Sequence, residues 1–142
     1  ALGQVRFLQP TADGRGGSGI VGCLAQPMEP AAFLQQVKDT FGVQALHHNA
    51  LPSRLIRKVA LCGGAGDFLL DASIRQQADA FLTGEMGYHR YFGHEDEILI
   101  GVLGHYQSEQ FTIQLMQRIL HEALPDLRTV VTSENTNPIH TV

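Results

Sequence analysis

Runs of apolar residues alternate along this chain with polar stretches of helical spacing. Ile20–Leu24, Val43–His48, Arg57–Cys62, Ala80–Thr83, Ile98–Leu103 and Leu127–Val131 read as strands. Val59-Ala60-Leu61-Cys62 is apolar without a break, as a strand covered on both faces should be. Phe33, Leu34, Val37 and Phe41 recur at helical spacing behind Pro30 and ahead of Gly42, so they predict a helix with a natural start and stop. Phe68, Leu69, Ala72 and Ile74 mark a second helix after the turn Gly63–Gly66. Gly84–Phe92 reads as a turn and short helix, and Phe111, Leu115, Ile119 and Leu120 mark the longest helix. Residues 1–18 turn polar and Gly-rich after Phe7-Leu8 and are expected to be a flexible leading segment; a single α/β domain is expected over 19–142. Its polar tail, from Glu134, contains Asn137-Pro138.

Strands alternating with helices imply βαβ units. The fold class expected is therefore α/β, a mostly parallel or mixed sheet flanked by helices. Sites in such sheets lie outside the carboxyl ends of the strands. Three loops leave carboxyl ends with polar or Gly-rich chemistry: Gly63–Asp67, Thr83–His89 and Gly104–Glu109.

The most informative of these is Gly104-His105-Tyr106-Gln107-Ser108-Glu109, where a strand hands over to a helix. His105 and Glu109 stand four apart, on one face of a helix that starts at or just before His105. An imidazole and a carboxylate there can form half of a metal site or a base with its orienting partner; a common alternative is a solvated first helical turn. Glu85 and His89 repeat the spacing on the neighbouring loop, as part of a shared polar pocket or as a helix start capped by Thr83. Gly63–Gly66 opens a helix and suits either a phosphate contact or a tight turn. His47-His48 falls in a strand, where consecutive side chains point to opposite faces, so one ion is not easily shared. His94, His121 and His140 lack a partner pattern and read as surface residues.

Composition narrows the classes. Hydrophobic residues make up 44% and charged residues 17% of the 142-residue chain, an ordinary balance with enough length for a real core. A net charge of −4 without a Lys/Arg cluster argues against nucleic acid as the main partner. No apolar run approaches the ~20 residues of a membrane helix, and Ala1-Leu2-Gly3-Gln4 does not read as a signal peptide. Cys23 and Cys62 form no Cys-x-x-Cys pair and read as buried free thiols in a reducing compartment.

Several stretches in order resemble one family: Val59-Ala60-Leu61-Cys62-Gly63-Gly64-Ala65-Gly66, Ala78-Asp79-Ala80-Phe81-Leu82-Thr83-Gly84-Glu85, Gly104-His105-Tyr106-x-Ser108-Glu109, and Asn137-Pro138-Ile139. The chain resembles the GTP cyclohydrolase 1 type 2 homologues, the Nif-three-like family, over Gly19 to Ile139. The resemblance implies a cytoplasmic α/β protein of two related halves, assembled as a toroidal homohexamer, with a dinuclear metal centre between the halves. The second half supplies a His and a Glu, here His105 and Glu109, as metal ligands. The first half supplies a His-His pair and an Asp, and some members carry an inserted domain.

This chain departs from that pattern in lacking the first half. His47-His48 precedes the strand Arg57–Cys62 and does not inherit the first-half role. The expectation is a Nif-three-like half-domain, the C-terminal portion of a longer protein, holding two of the ligands for two ions (Zn, Fe, Mn or Ni alike). By the resemblance the intact protein is a metal-dependent hydrolase acting on a nucleotide or phosphoester-like substrate. Glu85 and His89 then orient ligands or transfer protons. The alternative is a metal-binding scaffold that works through partner interactions without turnover. A third reading is a nucleotide module built on Gly63–Gly66. The partners expected are further copies of the chain, the missing N-terminal half and an unidentified small molecule, with no membrane.

Overall fold

The structure, a computed structural model, describes residues 1–140 and divides into two compact units, 1–108 and 109–142. The first holds a six-stranded mixed sheet in the order β1-β2-β4-β5-β6-β3. The strands are β1 (Leu2–Pro10), β2 (Gly17–Met28), β3 (His47–His48), β4 (Ile56–Cys62), β5 (Ala80–Thr83) and β6 (Leu99–Val102). β4, β5 and β6 run parallel in the middle, in the register Leu61–Leu82–Gly101. β2 on one side and β3 on the other run antiparallel to them. The sheet is thus α/β and mixed, as the alternation of apolar runs implied.

The parallel strands are apolar along 59–62, 80–82 and 99–102, where both of their faces are covered, whereas Arg57 at the start of β4 is exposed. Phe33, Leu34 and Val37 of α1 (Pro30–Phe41) cover one face, against Val59, Ala80, Leu82 and Leu99. Leu69 and Leu70 cover the other, against Ala60, Phe81, Ile98 and Ile100. Leu69 closes a 3-10 turn, Asp67–Leu69, that runs into α2 (Leu70–Arg75). Phe81 is wholly buried; truncating such a phenylalanine typically costs about 3–5 kcal/mol.

Residues 1–18 are not a flexible leader. They form β1 and the start of β2, paired from Leu2↔Leu24 to Pro10↔Gly17 with an irregularity between Gly3 and Arg6. A strand at a sheet edge needs main-chain pairing rather than an apolar sequence, and only Leu8 of β1 is buried. The glycines serve close packing here. A Cβ on Gly17 would come within 2.7 Å of the Gln9 carbonyl oxygen and 2.8 Å of the Phe7 side chain.

Two predicted strands shrink or vanish. Of Val43–His48, only His47 and His48 pair, opposite Val102 and Gly101. Beyond them the Asn49 side chain replaces the ladder, donating from Nδ2 to the Ile98 carbonyl at 2.9 Å and accepting from the Ile100 amide at 2.8 Å. Leu127–Val131, in the second unit, is irregular. There Thr129 Oγ1 accepts a hydrogen bond from Gln117 Nε2 at 3.0 Å and lies 2.6 Å from His121 Nε2, which ties the segment to its own helix, α4 (Thr112–Ala123). The tail 141–142 lies outside the described residues. Among the described residues no helix is long and apolar enough to cross a membrane. Among the described residues Cys23 and Cys62 form no disulfide, and both are half-buried rather than fully enclosed.

Candidate functional site

The three polar loops leave β4, β5 and β6 side by side, because those strands are adjacent and parallel. Backbone and hydroxyl groups knit them together. The Gly84 and Glu85 amides donate to the Gly64 carbonyl at 3.0 and 3.1 Å, and the Gly104 amide donates to the Gly84 carbonyl at 3.1 Å. Ser108 Oγ accepts from the Gly64 amide at 2.9 Å and donates to the His105 carbonyl at 2.8 Å. Gly84 sits so close beneath this hydroxyl that a Cβ would lie 2.6 Å from Ser108 Oγ and 2.7 Å from the Gly64 carbonyl oxygen.

These bonds settle two sequence alternatives. Thr83 is buried and does not cap the turn after it. Its hydroxyl instead accepts from the Gly66 amide at 3.2 Å and lies 3.4 Å from the Gly64 carbonyl oxygen. The amides of Gly64 and Gly66 are thus satisfied within the protein, and Gly63–Gly66 is a tight turn. A phosphate cradle needs such amides aimed outward, and two of those in this loop are already taken.

His105 opens the short helix α3 (His105–Glu109), and its Nδ1 lies 2.7 Å from Glu85 Oε1. An ionised carboxylate only accepts, so Nδ1 carries the proton and the lone pair resides on Nε2. His105 and Glu85 remain 47% and 55% exposed, so water screens their attraction and the pair orients more than it stabilises. Glu85, twenty residues upstream, is thus a partner that orients the imidazole. Glu109 ends α3 and is the first residue of the second unit.

His89 does not join Glu85. It lies in the 3-10 turn Tyr88–Tyr91, exposed, with its ring edge-on to Tyr88 at a centroid distance of 5.3 Å. His47 and His48 are exposed and border a pocket of about 440 Å³ with Met86, Tyr88, Tyr91 and Phe92. His94 pairs with Glu97 at 2.7 Å. Ser108 stood in the sequence motif without a role of its own. Its signal is a hydroxyl three residues after the His, where the helix faces a glycine turn.

Imidazole and carboxylate donors suit a first-row divalent ion. Their number here does not complete its shell. Among the described residues no group of three or more His, Cys, Asp or Glu side chains could hold a metal, whereas protein sites ordinarily use three or four.

The family model described as Duf34/NIF3 (NGG1p interacting factor 3) matches residues 1–138. A Pseudomonas aeruginosa protein called GTP cyclohydrolase 1 type 2 homolog is 33% identical over 98 residues, 68% of this chain and 38% of that protein. A Lactococcus lactis protein of the same name is 30% identical over 123 residues, 80% of this chain and 46% of its own length. The crystal structure of a Bacillus cereus protein related to NIF3 superposes with a TM-score of 0.72 at 24% identity, over 89% of this chain and 36% of that one. The chain thus spans less than half the length of these relatives.

Proposed function

The chain belongs to the Duf34/NIF3 family, and on that premise we propose that it is the C-terminal half of a dinuclear metal-binding protein, a metal-dependent hydrolase. His105 and Glu109 are the ligands it contributes. The observation that carries this reading is the Glu85–His105 hydrogen bond. A carboxylate holding Nδ1–H presents Nε2 as the donor, the arrangement that metal-ligating histidines use. The remaining ligands then come from the length that the relatives have and this chain lacks. The name of those relatives supports a nucleotide or phosphoester-like substrate. A cytoplasmic homo-oligomer accompanies this reading.

The test is metal per chain by elemental analysis after gel filtration, for the protein extended to the relatives' length and for His105→Ala/Glu109→Ala in it. Stoichiometric metal that the double variant loses supports the reading. A metal-free extended protein, or a double variant that keeps its metal, rejects it. Hydrolysis of a nucleotide and phosphoester panel by the metal-loaded protein then tests the activity.

The exposure of the Glu85–His105 pair favours a second reading, a metal-binding scaffold without turnover, since catalytic electrostatics gain most where water is excluded. Retention of the biological role by the double variant would decide for it.

A further inference from the structure

Beyond Glu85 the loop turns aromatic, and its side chains meet β3 across a pocket of about 440 Å³. Tyr88 and Phe92 stand edge to face, centroids 5.2 Å apart and planes at 77°. They stay 72% and 58% exposed, an unusual amount of ring surface to leave in water. Tyr91 and Met86 pack beneath them against the core. His47 and His48 border the opposite side. β3 holds them there by pairing with β6, and Asn49 locks that pairing.

Polar groups in the pocket are available. Among the described residues the rings of His47 and Tyr88 and the hydroxyl of Tyr91 make no hydrogen bond, and His48 uses only Nδ1, 2.6 Å from the Asn49 carbonyl oxygen. Burial pushes the Tyr91 phenol above its ordinary value of 10.0, so it keeps its proton and can donate.

We infer that this pocket binds a planar, uncharged aromatic ring bearing a hydrogen-bond acceptor at its edge. Two crossed ring faces form a corner that receives one flat ring by stacking on one and edge contact with the other. The tyrosine hydroxyls and an N–H of the His47 ring meet the acceptor, while His48 spends its Nδ1–H on the Asn49 carbonyl. The volume lies within the range of small-molecule sites. A flexible aliphatic ligand would leave the crossed faces unmatched, and an anion would find no lysine or arginine among the lining residues. This inference goes beyond the metal reading, and its test uses no metal.

The chain has three methionines, Met28, Met86 and Met116, and only Met86 borders the pocket. With ¹³C-methyl methionine, chromone, a flat bicycle with a ring carbonyl, should shift the Met86 signal saturably through its ring current and leave the other two in place. Tetrahydropyranone, which keeps the carbonyl but is not aromatic, should not. Tyr88→Ala and Phe92→Ala alter exposed rings and should fold, each weakening chromone binding about tenfold. No Met86 shift, three methyls shifting together without saturation, or undiminished binding by both variants would each overturn the assignment. His105→Ala should bind chromone as the parent does, which separates this pocket from the metal reading.

Discussion

Ser108 and Gly64 are joined by a 2.9 Å hydrogen bond from the glycine amide to the serine hydroxyl, and the same hydroxyl donates to the His105 carbonyl. The helix that carries the imidazole is therefore anchored to the loop after β4. Ser108→Ala strands the Gly64 amide and should cost about 1–2 kcal/mol. Faster hydrogen exchange at Gly64, ahead of the rest of the sheet, is the expected signature.

Glu85→Ala should release the His105 ring. With the carboxylate present, ¹⁵N spectra of the neutral ring should show the proton on Nδ1; without it, the two tautomers should mix. If His105 ligates metal in the extended protein, the same change should weaken metal binding about 10–100-fold. A tautomer unchanged in Glu85→Ala would refute the pairing.

Gly84→Ala introduces a Cβ into space already held by Ser108 Oγ and the Gly64 backbone. Neither backbone loop can yield cheaply. A loss of about 1–3 kcal/mol in chemical denaturation is expected, and Ser108→Ala in the same chain should recover part of it.

Much of this was legible in the order of residues. β4, β5 and β6 announced themselves through unbroken apolar runs at 59–62, 80–82 and 99–102, the mark of strands covered on both faces. β1 did not, since an edge strand with one buried side chain carries almost no apolar pattern, and its glycines looked like slack rather than close packing. His105 was found from its spacing to Glu109. Its hydrogen-bond partner Glu85 was only grouped nearby, because their contact depends on β5 and β6 being neighbours in a register that local periodicity does not encode. His89 was paired with Glu85 on a helical spacing that the 3-10 turn does not supply.

In the β1–β2 turn, the Thr11 hydroxyl donates to the Asp13 carboxylate at 2.6 Å, and the Arg15 amide donates to it at 3.1 Å. The Thr11 bond chiefly, then the Arg15 amide, lowers the Asp13 pKa below its ordinary 3.8. A carboxyl group with a depressed folded value favours the fold above its ordinary value and loses that contribution as pH falls through the folded one. The Arg15 amide resonance should therefore move only in acid, with a midpoint under 3.8, and Asp13→Asn should abolish the step.

At the other ends of the parallel strands, the Asp79 carboxylate accepts the amides of Arg57 and Lys58, each at 2.9 Å, and the Arg54 Nε at 3.1 Å. Arg54 also donates to the Asp96 and Glu97 carbonyls. Asp79→Ala strands two main-chain donors and should cost about 3 kcal/mol, read as a lower urea midpoint. The His105 tautomer should not change.

That last expectation follows from the length of β5. Its four residues, Ala80–Thr83, place Asp79 five steps from Gly84, a span of about 16 Å at ~3.3 Å per residue. Substitutions farther apart than about 7–10 Å and sharing no partner tend to add independently. One rim of the sheet can therefore accumulate or shed stability over generations while the opposite rim tries new chemistry, each sparing the other the consequences.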